Sequence, residues 1–346
     1  MSKRKLSEAV STPSVINDAA DWVERRDARQ GPDLGYFAFY SSAVDAITTT
    51  PALMHIPIDD HAIVRGHAVF DTCSLASGRL YRLQIHLDRL FASAQASRLP
   101  LPFGQDEDTN RSKMVEIIKA VARASGRQTC DIRYWLTAGT GNLGVTPAGC
   151  IPGFYVLAFG GLPMNPAWQS DGIAEASVPS SVVPLKPKHL AELKSNNYML
   201  NALTMMAAKD RGGTFGIGVD ADGYVMESCV LNVCVVGKDG WLRTPPFANL
   251  LRGCTVRRVM ALAAAELVEG AAALLKGVVQ ERIQLHELYN AEELFLVAGD
   301  THIFACSSLD GRQLGTGTPG PVMQRIRSLL EADAHSGEAE HESIHL

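Results

Sequence analysis

The sequence lacks a cysteine framework. Its 346 residues include seven cysteines, which are scattered and form no Cys-x-x-Cys pair. An odd, dispersed set predicts reduced thiols in a cytoplasm-like compartment and argues against a disulfide-stapled domain or a cysteine-based zinc site. His61, His67 and His86 are also spaced unlike metal ligands, so we expect no metal centre.

Long apolar runs and an excess of positive charge are absent as well. No window approaches the ~18 apolar residues of a membrane-spanning helix, so we expect no membrane partner. The formal net charge of −5 leaves no basic excess for nucleic acid, although it is compatible with a small anionic ligand. The basic start of residues 1–30 has no apolar stretch and contains several acids, which argues against a leader peptide and favours a cytoplasmic location.

What the sequence does contain is a hydrophobic fraction of 46%, enough for a sizeable core in two domains. Strand and helix patterns are mixed in both halves, which predicts an α/β or α+β fold. A stretch bearing Gly and Pro near residue 160 suggests a domain boundary. We predict a flexible N-terminal extension at 1–32, a small α/β domain at 33–160, a linker at 161–170, a larger domain at 171–330 and a flexible tail at 331–346.

Periodicity places the main elements. Apolar residues at helical spacing predict helices at 85–98, 111–126, 195–211 and 254–268, and Ser77-Gly78 predicts the turn of a hairpin. The segment CDIRYWLTAG alternates as a strand does. Its two predicted faces carry Ile132, Tyr134 and Leu136 on one side, and Arg133, Trp135 and Thr137 on the other.

Three lysines precede the third of these helices, in the segment LKPKHLAELKSNNYML. An isolated lysine is more often a solvated charge than a reactive group. Lys194 stands next to the predicted helix, where a rigid element can hold it. Lys186 and Lys188 lie in a proline-broken segment, where we expect neither to be held in one geometry.

A series of motifs precedes and follows Lys194 in a fixed order. The segments IDDHAIVRGHAVFDT, HLDRL, KSNNYMLN, DGYVMES, LNV and LLRGCT together resemble the class IV, fold-type IV aminotransferases that use pyridoxal phosphate. This family includes branched-chain and D-amino-acid aminotransferases and aminodeoxychorismate lyases. The resemblance covers about 40–325 and is closest to the D-amino-acid aminotransferase and aminodeoxychorismate lyase group. It implies two domains, a small N-terminal α/β domain and a larger C-terminal pseudo-barrel.

The resemblance also implies the cofactor-binding residues. Lys194 matches the lysine that forms a Schiff base with the cofactor, and Glu227 matches the carboxylate that keeps the pyridine nitrogen protonated. The other implied cofactor contacts are Arg89, Asn232, Gly253, Cys254, Thr255 and Thr301. A helix that begins at RGCT offers free N–H groups to a phosphate. Family members often carry an arginine directly after Gly-x-Thr, whereas this chain has Val256 before Arg257 and Arg258, which leaves the role of both arginines open.

Recognition of the substrate is assigned to the polar face of the CDIRYWLTAG strand. Arg133 offers two parallel donors to a carboxylate, and Phe70 and Trp135 are expected beside it. The alternative is that Arg133 satisfies a structural acid at a dimer interface.

These residues imply a transaminase that transfers the amino group of a D-amino acid to a 2-oxo acid through a Schiff base at Lys194. Two alternatives share the cofactor, a 4-amino-4-deoxychorismate lyase and an (R)-selective amine transaminase. An inactive scaffold is disfavoured because both Lys194 and Glu227 are present. The family's habit of completing each site with residues of the neighbouring subunit predicts a homodimer.

Overall fold

A computed structural model describes residues 13–29, 35–161, 164–271, 273–299, 301–336 and 341–344. In this described part of the chain, no helix combines the length and the apolar character needed to cross a bilayer. The seven cysteines are unpaired, and all but Cys150 are buried.

The first half of the chain forms an antiparallel sheet with two long helices packed on it. Its elements are α1 (Ala19–Arg29), β1 (Tyr36–Ser41), β2 (Ala46–Thr48), a 3-10 turn (Pro51–Leu53), α2 (His61–Val64), β3 (Ala68–Ala76), β4 (Arg79–Leu80), α3 (Leu83–Ala96), α4 (Glu107–Ala124), β5 (Cys130–Thr140) and β6 (Ile151–Phe159). The strand order is β4-β3-β5-β6-β1-β2. Leu83, Leu87 and Leu90 of α3 are fully buried in the core beneath this sheet.

The pairing of β3 with β5 confirms the predicted faces of the CDIRYWLTAG strand. Thr72 lies opposite Arg133 and Phe70 lies opposite Trp135, so these four side chains share one face. Tyr134 is fully buried on the other face. Thr137 follows on the predicted face opposite Ala68, where it is fully buried and donates a hydrogen bond to Asp60 Oδ2 over 2.9 Å.

The second half forms two further sheets and has its own core. Its elements are α5 (Ala167–Ser170), β7 (Ile173–Glu175), β8 (Ser177–Pro179), α6 (Lys188–Ala191), α7 (Met199–Asp210), β9 (Ile217–Val219), β10 (Val225–Ser228), β11 (Asn232–Val236), β12 (Trp241–Thr244), α8 (Cys254–Glu266), β13 (Gly277–Gln280), α9 (Leu285–Leu288), β14 (Glu293–Val297), β15 (Ile303–Leu309), β16 (Arg312–Gln313), α10 (Pro321–His335) and β17 (Glu342–Ser343). One sheet has the order β10-β9-β8. The other has the order β13-β12-β11-β14-β15-β16, with β7 added on β15.

The predicted helices α3, α4 and α8 are confirmed to within a few residues. The third predicted helix starts late, because α7 begins at Met199 rather than at 195. Residues 194–196 are held instead by backbone hydrogen bonds to β3. The core residues divide near 160, where we predict the domain boundary, and the linker at 161–170 stays a prediction.

Both chain ends are more ordered than the sequence predicts. The described part of the 1–32 extension contains α1, and Arg26 donates to the Met54 carbonyl over 3.1 Å. The prediction of a flexible tail at 331–346 is wrong for its described residues. Helix α10 continues to His335, β17 pairs with β4, and Ile344 is 1% exposed. Burial of Ile344, the pairing of β17 with β4, the Lys119–Glu342 ion pair and the bond from Arg123 to the Ile344 carbonyl hold this segment.

Candidate active site

Lys194 is held through its backbone by the first domain. The Phe70 N–H donates to the Lys194 carbonyl over 2.9 Å, and the Asn196 N–H donates to the Ala68 carbonyl over 3.0 Å. The segment therefore lies along β3 as a short added strand. The Lys194 N–H also points to Ser93 Oγ on α3, at 3.4 Å. Strand β3 and helix α3 therefore fix the backbone of Lys194. The sequence suggested instead that the following helix, α7, would hold it.

The Lys194 side chain lies over an aromatic ring in a cationic setting. Its Nζ is 4.8 Å from the centre of the Phe70 ring. Burial, together with the nearby cations Arg89 and Arg133, lowers the pKa of Lys194 to about 8 against the opposing effect of Asp71. At pH 7 about one amine in ten is then neutral, compared with fewer than one in a thousand at an ordinary lysine pKa. Lys194 is thus suited to nucleophilic attack.

Arg89 is fixed by a buried carboxylate. Its Nε donates to Asp71 Oδ2 over 2.8 Å and its Nη2 donates to Asp71 Oδ1 over 2.7 Å, while the Asp71 side chain is fully buried. His86 Nδ1 lies 2.9 Å from Asp71 Oδ1. Burial disfavours the carboxylate, but Arg89 and His86 outweigh it and hold the pKa of Asp71 well below its usual range. The remaining Arg89 nitrogen, Nη1, points to the Arg252 carbonyl at 3.4 Å, just before α8.

Asp71→Asn should therefore destabilise the protein strongly. The change leaves the Arg89 guanidinium, which is 11% exposed, without its countercharge, and breaking a buried ion pair costs ~3–5 kcal/mol of the free energy of unfolding. Urea unfolding of the cofactor-free protein measures the loss. Asp60→Asn is the matched control, because Asp60 is equally buried but accepts bonds from the neutral hydroxyls of Thr137 and Tyr155, which predicts ~1–3 kcal/mol. Equal losses in the two variants would contradict a special role for the charge.

Glu227 and Asn232 both contact the backbone of Leu251. The Leu251 N–H points to Glu227 Oε2 at 3.4 Å, and Asn232 Nδ2 donates to the Leu251 carbonyl over 3.3 Å. Glu227 is half-buried in β10, and burial raises its pKa to about 7, with Lys186, the Leu251 N–H and Lys194 acting in the opposite direction. The carboxylate therefore depends on nearby cations to stay ionised.

The N-terminus of α8 forms a closely packed cradle. Gly253 precedes the helix and no side chain caps it, so the first N–H groups of α8 are available to an anion. A Cβ on Gly253 would lie 2.0 Å from Asn232 Oδ1, which explains the glycine. Cys254 and Thr255 are buried at 3% and 5% exposure. Cys254 Sγ lies 3.9 Å from the Ile85 carbonyl of α3, close to Arg89.

Of the two arginines after this cradle, Arg258 points away from it. Arg258 Nε donates to Asp333 Oδ2 over 2.9 Å, and a second bond joins Arg258 Nη2 to Asp333 Oδ1. Tyr81 also donates to Asp333, over 2.5 Å. Arg258 thus joins α8 to α10, and Arg257 is exposed. The sequence left open whether Arg258 binds a ligand; its bonds to Asp333 give it a structural role.

The proposed substrate residues lie beside the lysine. The Arg133 guanidinium is 5.4 Å from the Phe70 ring centre, so Arg133 and Lys194 both contact that ring. Arg133 Nε donates to Thr72 Oγ1 over 3.0 Å. Trp135 is half-buried on the same face. Thr301 is half-buried before β15 with a left-handed φ of 70°, and its phosphate contact stays a prediction.

Sequence reasoning missed four residues of this site. Asp71 and His86 hold Arg89, Tyr198 packs against Phe70 with ring centres 5.3 Å apart, and Lys186 lies over Tyr198. A usable signal existed for His86, since it precedes Arg89 by three residues and so shares a helix face with it. For Asp71 the signal was an acidic residue within an apolar strand, a pattern that predicts a buried carboxylate with a partner.

These groups fit pyridoxal phosphate, which the resemblance implies. The cofactor needs an amine for its aldehyde, a carboxylate for its ring nitrogen and donors for its phosphate. Lys194, Glu227, and Arg89 with the N-terminus of α8 match these three requirements. The Asn196 Oδ1 atom, two residues from Lys194, is buried and accepts no hydrogen bond from the described residues. No group of three His, Cys, Asp or Glu residues that could hold a metal occurs among them.

Known proteins resemble this chain in sequence over most of its length. The family model for amino-transferase class IV matches residues 68–309. A chloroplastic D-amino-acid transaminase of Arabidopsis thaliana is 36% identical over 304 residues, which are 87% of this chain and 78% of that protein. A putative branched-chain-amino-acid aminotransferase of Methanocaldococcus jannaschii is 29% identical over 274 residues, which are 79% of this chain and 88% of that protein.

Solved structures resemble it in fold. The branched-chain amino acid aminotransferase of Escherichia coli superposes with a TM-score of 0.76 at 25% identity, covering 89% of this chain and 99% of that one. Another branched-chain amino acid aminotransferase, solved with pyridoxamine 5'-phosphate, superposes with a TM-score of 0.75 at 24% identity, covering 90% and 99%. The predicted two-domain, fold-type IV architecture is confirmed. By sequence and by fold, the chain belongs to the class IV aminotransferases, the enzymes that use pyridoxal phosphate.

Proposed function

We propose that this enzyme transfers the amino group of a D-amino acid to a 2-oxo acid. The observation that carries the proposal is the position of Arg133, whose guanidinium shares the Phe70 ring with the Lys194 amine. A guanidinium there can bind a substrate carboxylate through two parallel bonds, which favours amino acids over simple amines. The preference for the D-enantiomer rests on the Arabidopsis relative, and branched-chain relatives make L-leucine the main competitor.

Each residue of the site has a part in this reaction. When bound, pyridoxal phosphate supplies an electron sink that stabilises negative charge at the substrate α-carbon. Lys194 would hold the cofactor covalently, and its free Nζ would move the proton between the substrate α-carbon and the C4′ carbon of the cofactor. Glu227 holds the proton at the ring nitrogen as long as it is ionised. Arg89 and the N–H groups at the start of α8 bind the phosphate.

A panel of three amino donors and one lyase substrate tests the proposal. Purified enzyme is given D-alanine, L-leucine or (R)-1-phenylethylamine, each with 2-oxoglutarate, and separately 4-amino-4-deoxychorismate, while product formation is followed by mass spectrometry. We expect the highest kcat/KM for D-alanine. The amine transaminase hypothesis replaces the proposal if (R)-1-phenylethylamine is preferred. Release of pyruvate and 4-aminobenzoate from 4-amino-4-deoxychorismate as the main activity would make the enzyme a lyase.

We further propose that the enzyme is a homodimer. Met199, Leu203 and Met206 follow one face of α7 and are 77%, 41% and 61% exposed. A second copy of the chain would cover such an apolar face, and an obligate dimer buries on the order of 2,000 Å². Light scattering should give twice the mass of the 37.3 kDa chain. A monomeric mass in an active sample would exclude the dimer.

A cytoplasmic location is also proposed, on the basis of the unpaired cysteines. The Arabidopsis relative is named as chloroplastic, so a plastid location is the alternative for this chain. Cell fractionation with an antibody to the protein decides between them.

A further inference from the structure

Lys186 is held in place, contrary to the expectation from its proline-broken segment. The lysine is half-buried, whereas Lys188 is exposed. Its Nζ lies 4.7 Å from the centre of the Tyr198 ring, an arrangement that stabilises a cation. The backbone freedom next to Pro184 and Pro187 is small, and the ring provides the side-chain contact that the sequence did not show.

Lys186 and Glu227 line the same space. Both border a cleft of about 450 Å³ that is open to solvent and lies between α7 and β10. Both also border a second, more enclosed cleft of about 330 Å³ that reaches Tyr198, Asn232 and Leu251. Glu227 therefore borders two clefts that Lys186 also borders, and it lies near the Leu251 N–H, two residues before Gly253.

The charged and titratable groups around Glu227 come from several elements. They are Lys186 and Lys194 in the segments before α7, Tyr198 at the start of α7, and Cys229 after β10. The backbone donor is the Leu251 N–H. Of the two cations, Lys186 has the larger effect on Glu227. Lys194 is the residue whose amine would bond to the cofactor aldehyde, so Lys186 is the described cation near Glu227 that would keep a free ammonium.

We propose that Lys186 is a positioning residue of the site: from the Tyr198 ring its ammonium keeps the Glu227 carboxylate ionised, so that this carboxylate pairs with the protonated ring nitrogen of the cofactor. The inference rests on the proposed cofactor chemistry of Glu227. It is consistent with the electrostatics, since burial raises the pKa of Glu227 to about 7 and Lys186 opposes that rise. Burial in turn lowers the pKa of Lys186, and Glu227 opposes that change.

The test measures ligand binding to cofactor-free protein, not turnover. Pyridoxamine 5'-phosphate has the ring nitrogen and the phosphate but no aldehyde, so it binds without a bond to Lys194. Its dissociation constant is measured from pH 5 to pH 9 by fluorescence quenching. In wild type the affinity should fall below about pH 7 as Glu227 takes up a proton. Lys186→Met should move that midpoint upward by about one pH unit and weaken binding about fivefold at pH 7.

Four comparison variants make the result specific. Lys186→Arg keeps the charge and should restore the wild-type midpoint, and Lys188→Met, on the exposed lysine, should not move it. Lys186→Met should have no effect on the pH dependence in a Glu227→Gln background. Lys186→Gln replaces the methionine variant if that protein does not fold.

The outcomes separate the two proposals. An unmoved midpoint in Lys186→Met, or an equal shift in Lys186→Arg, overturns the role of Lys186. No binding of pyridoxamine 5'-phosphate by the wild type at any pH would overturn the proposed cofactor chemistry, and the role of Lys186 with it. A shift that persists when Glu227 is glutamine means that Lys186 acts through another group, which also overturns the inference.

Discussion

Lys194→Ala should abolish covalent attachment of the cofactor and lower the turnover number by ~10⁴-fold or more. The reason is that one amine serves as attachment point and proton carrier, and no other lysine is described at the same position over the Phe70 ring. After borohydride reduction, mass spectrometry of the wild type should find the cofactor on the peptide that contains Lys194. The variant should show no modified peptide and no yellow colour.

Lys188→Ala is the matched control for this change. Lys188 belongs to the same segment but is exposed at the start of α6, so the variant should keep both colour and turnover. If Lys194→Ala remained yellow and active while Lys186→Ala did not, the assignment of the reactive lysine would be wrong. The two lysines would then have exchanged the roles that their contacts to Phe70 and Tyr198 suggest.

Arg133→Ala should lower kcat/KM for D-alanine by ~10²-fold or more and leave (R)-1-phenylethylamine almost unaffected. The estimate follows from the cost of breaking a desolvated charge pair, ~2–5 kcal/mol. Thr72 Oγ1 and the Phe70 and Phe159 rings fix the guanidinium, so the loss is one of position as well as charge. Steady-state kinetics with both donors, at saturating 2-oxoglutarate, measures the difference.

Arg127→Ala is the control for an arginine on an aromatic ring of the same domain. Arg127 lies 4.2 Å from the centre of the Phe37 ring and is exposed. Its removal should change neither donor's kinetics. Equal losses on both donors in Arg133→Ala would instead show that Arg133 holds the strand face together, which is the structural alternative.

Local patterns predicted a large part of this fold and site. Helix α8 begins at Cys254 because Gly253 and the RGCT turn provide its start, and both features are readable in sequence. The alternation of β5 correctly separated Arg133 from Tyr134. Resemblance to a family then supplied the roles of Lys194 and Glu227, which periodicity alone does not give.

Contacts between distant segments could not be predicted. Lys194 is set by hydrogen bonds to β3, more than a hundred residues earlier, and no local pattern records that pairing. The prolines beside Lys186 predict a side chain that is not held in place, whereas the side chain contacts the ring of Tyr198, which immediately precedes α7. The polarity of the C-terminal residues predicts a flexible tail, yet Ile344 packs in the core of the first domain.

The hydrogen bonds between residues 194–196 and β3 have a mechanical consequence. The reactive amine belongs to a segment that is hydrogen-bonded to the sheet of the first half of the chain, while the cradle at the start of α8 belongs to the second half. A cofactor joined to Lys194 and bound by the start of α8 would then link the two halves of the chain. Binding of the cofactor should therefore make the two domains unfold in a single calorimetric transition. Reduction of the bond to Lys194 with borohydride should keep the unfolding in one transition, because the cofactor can then no longer dissociate.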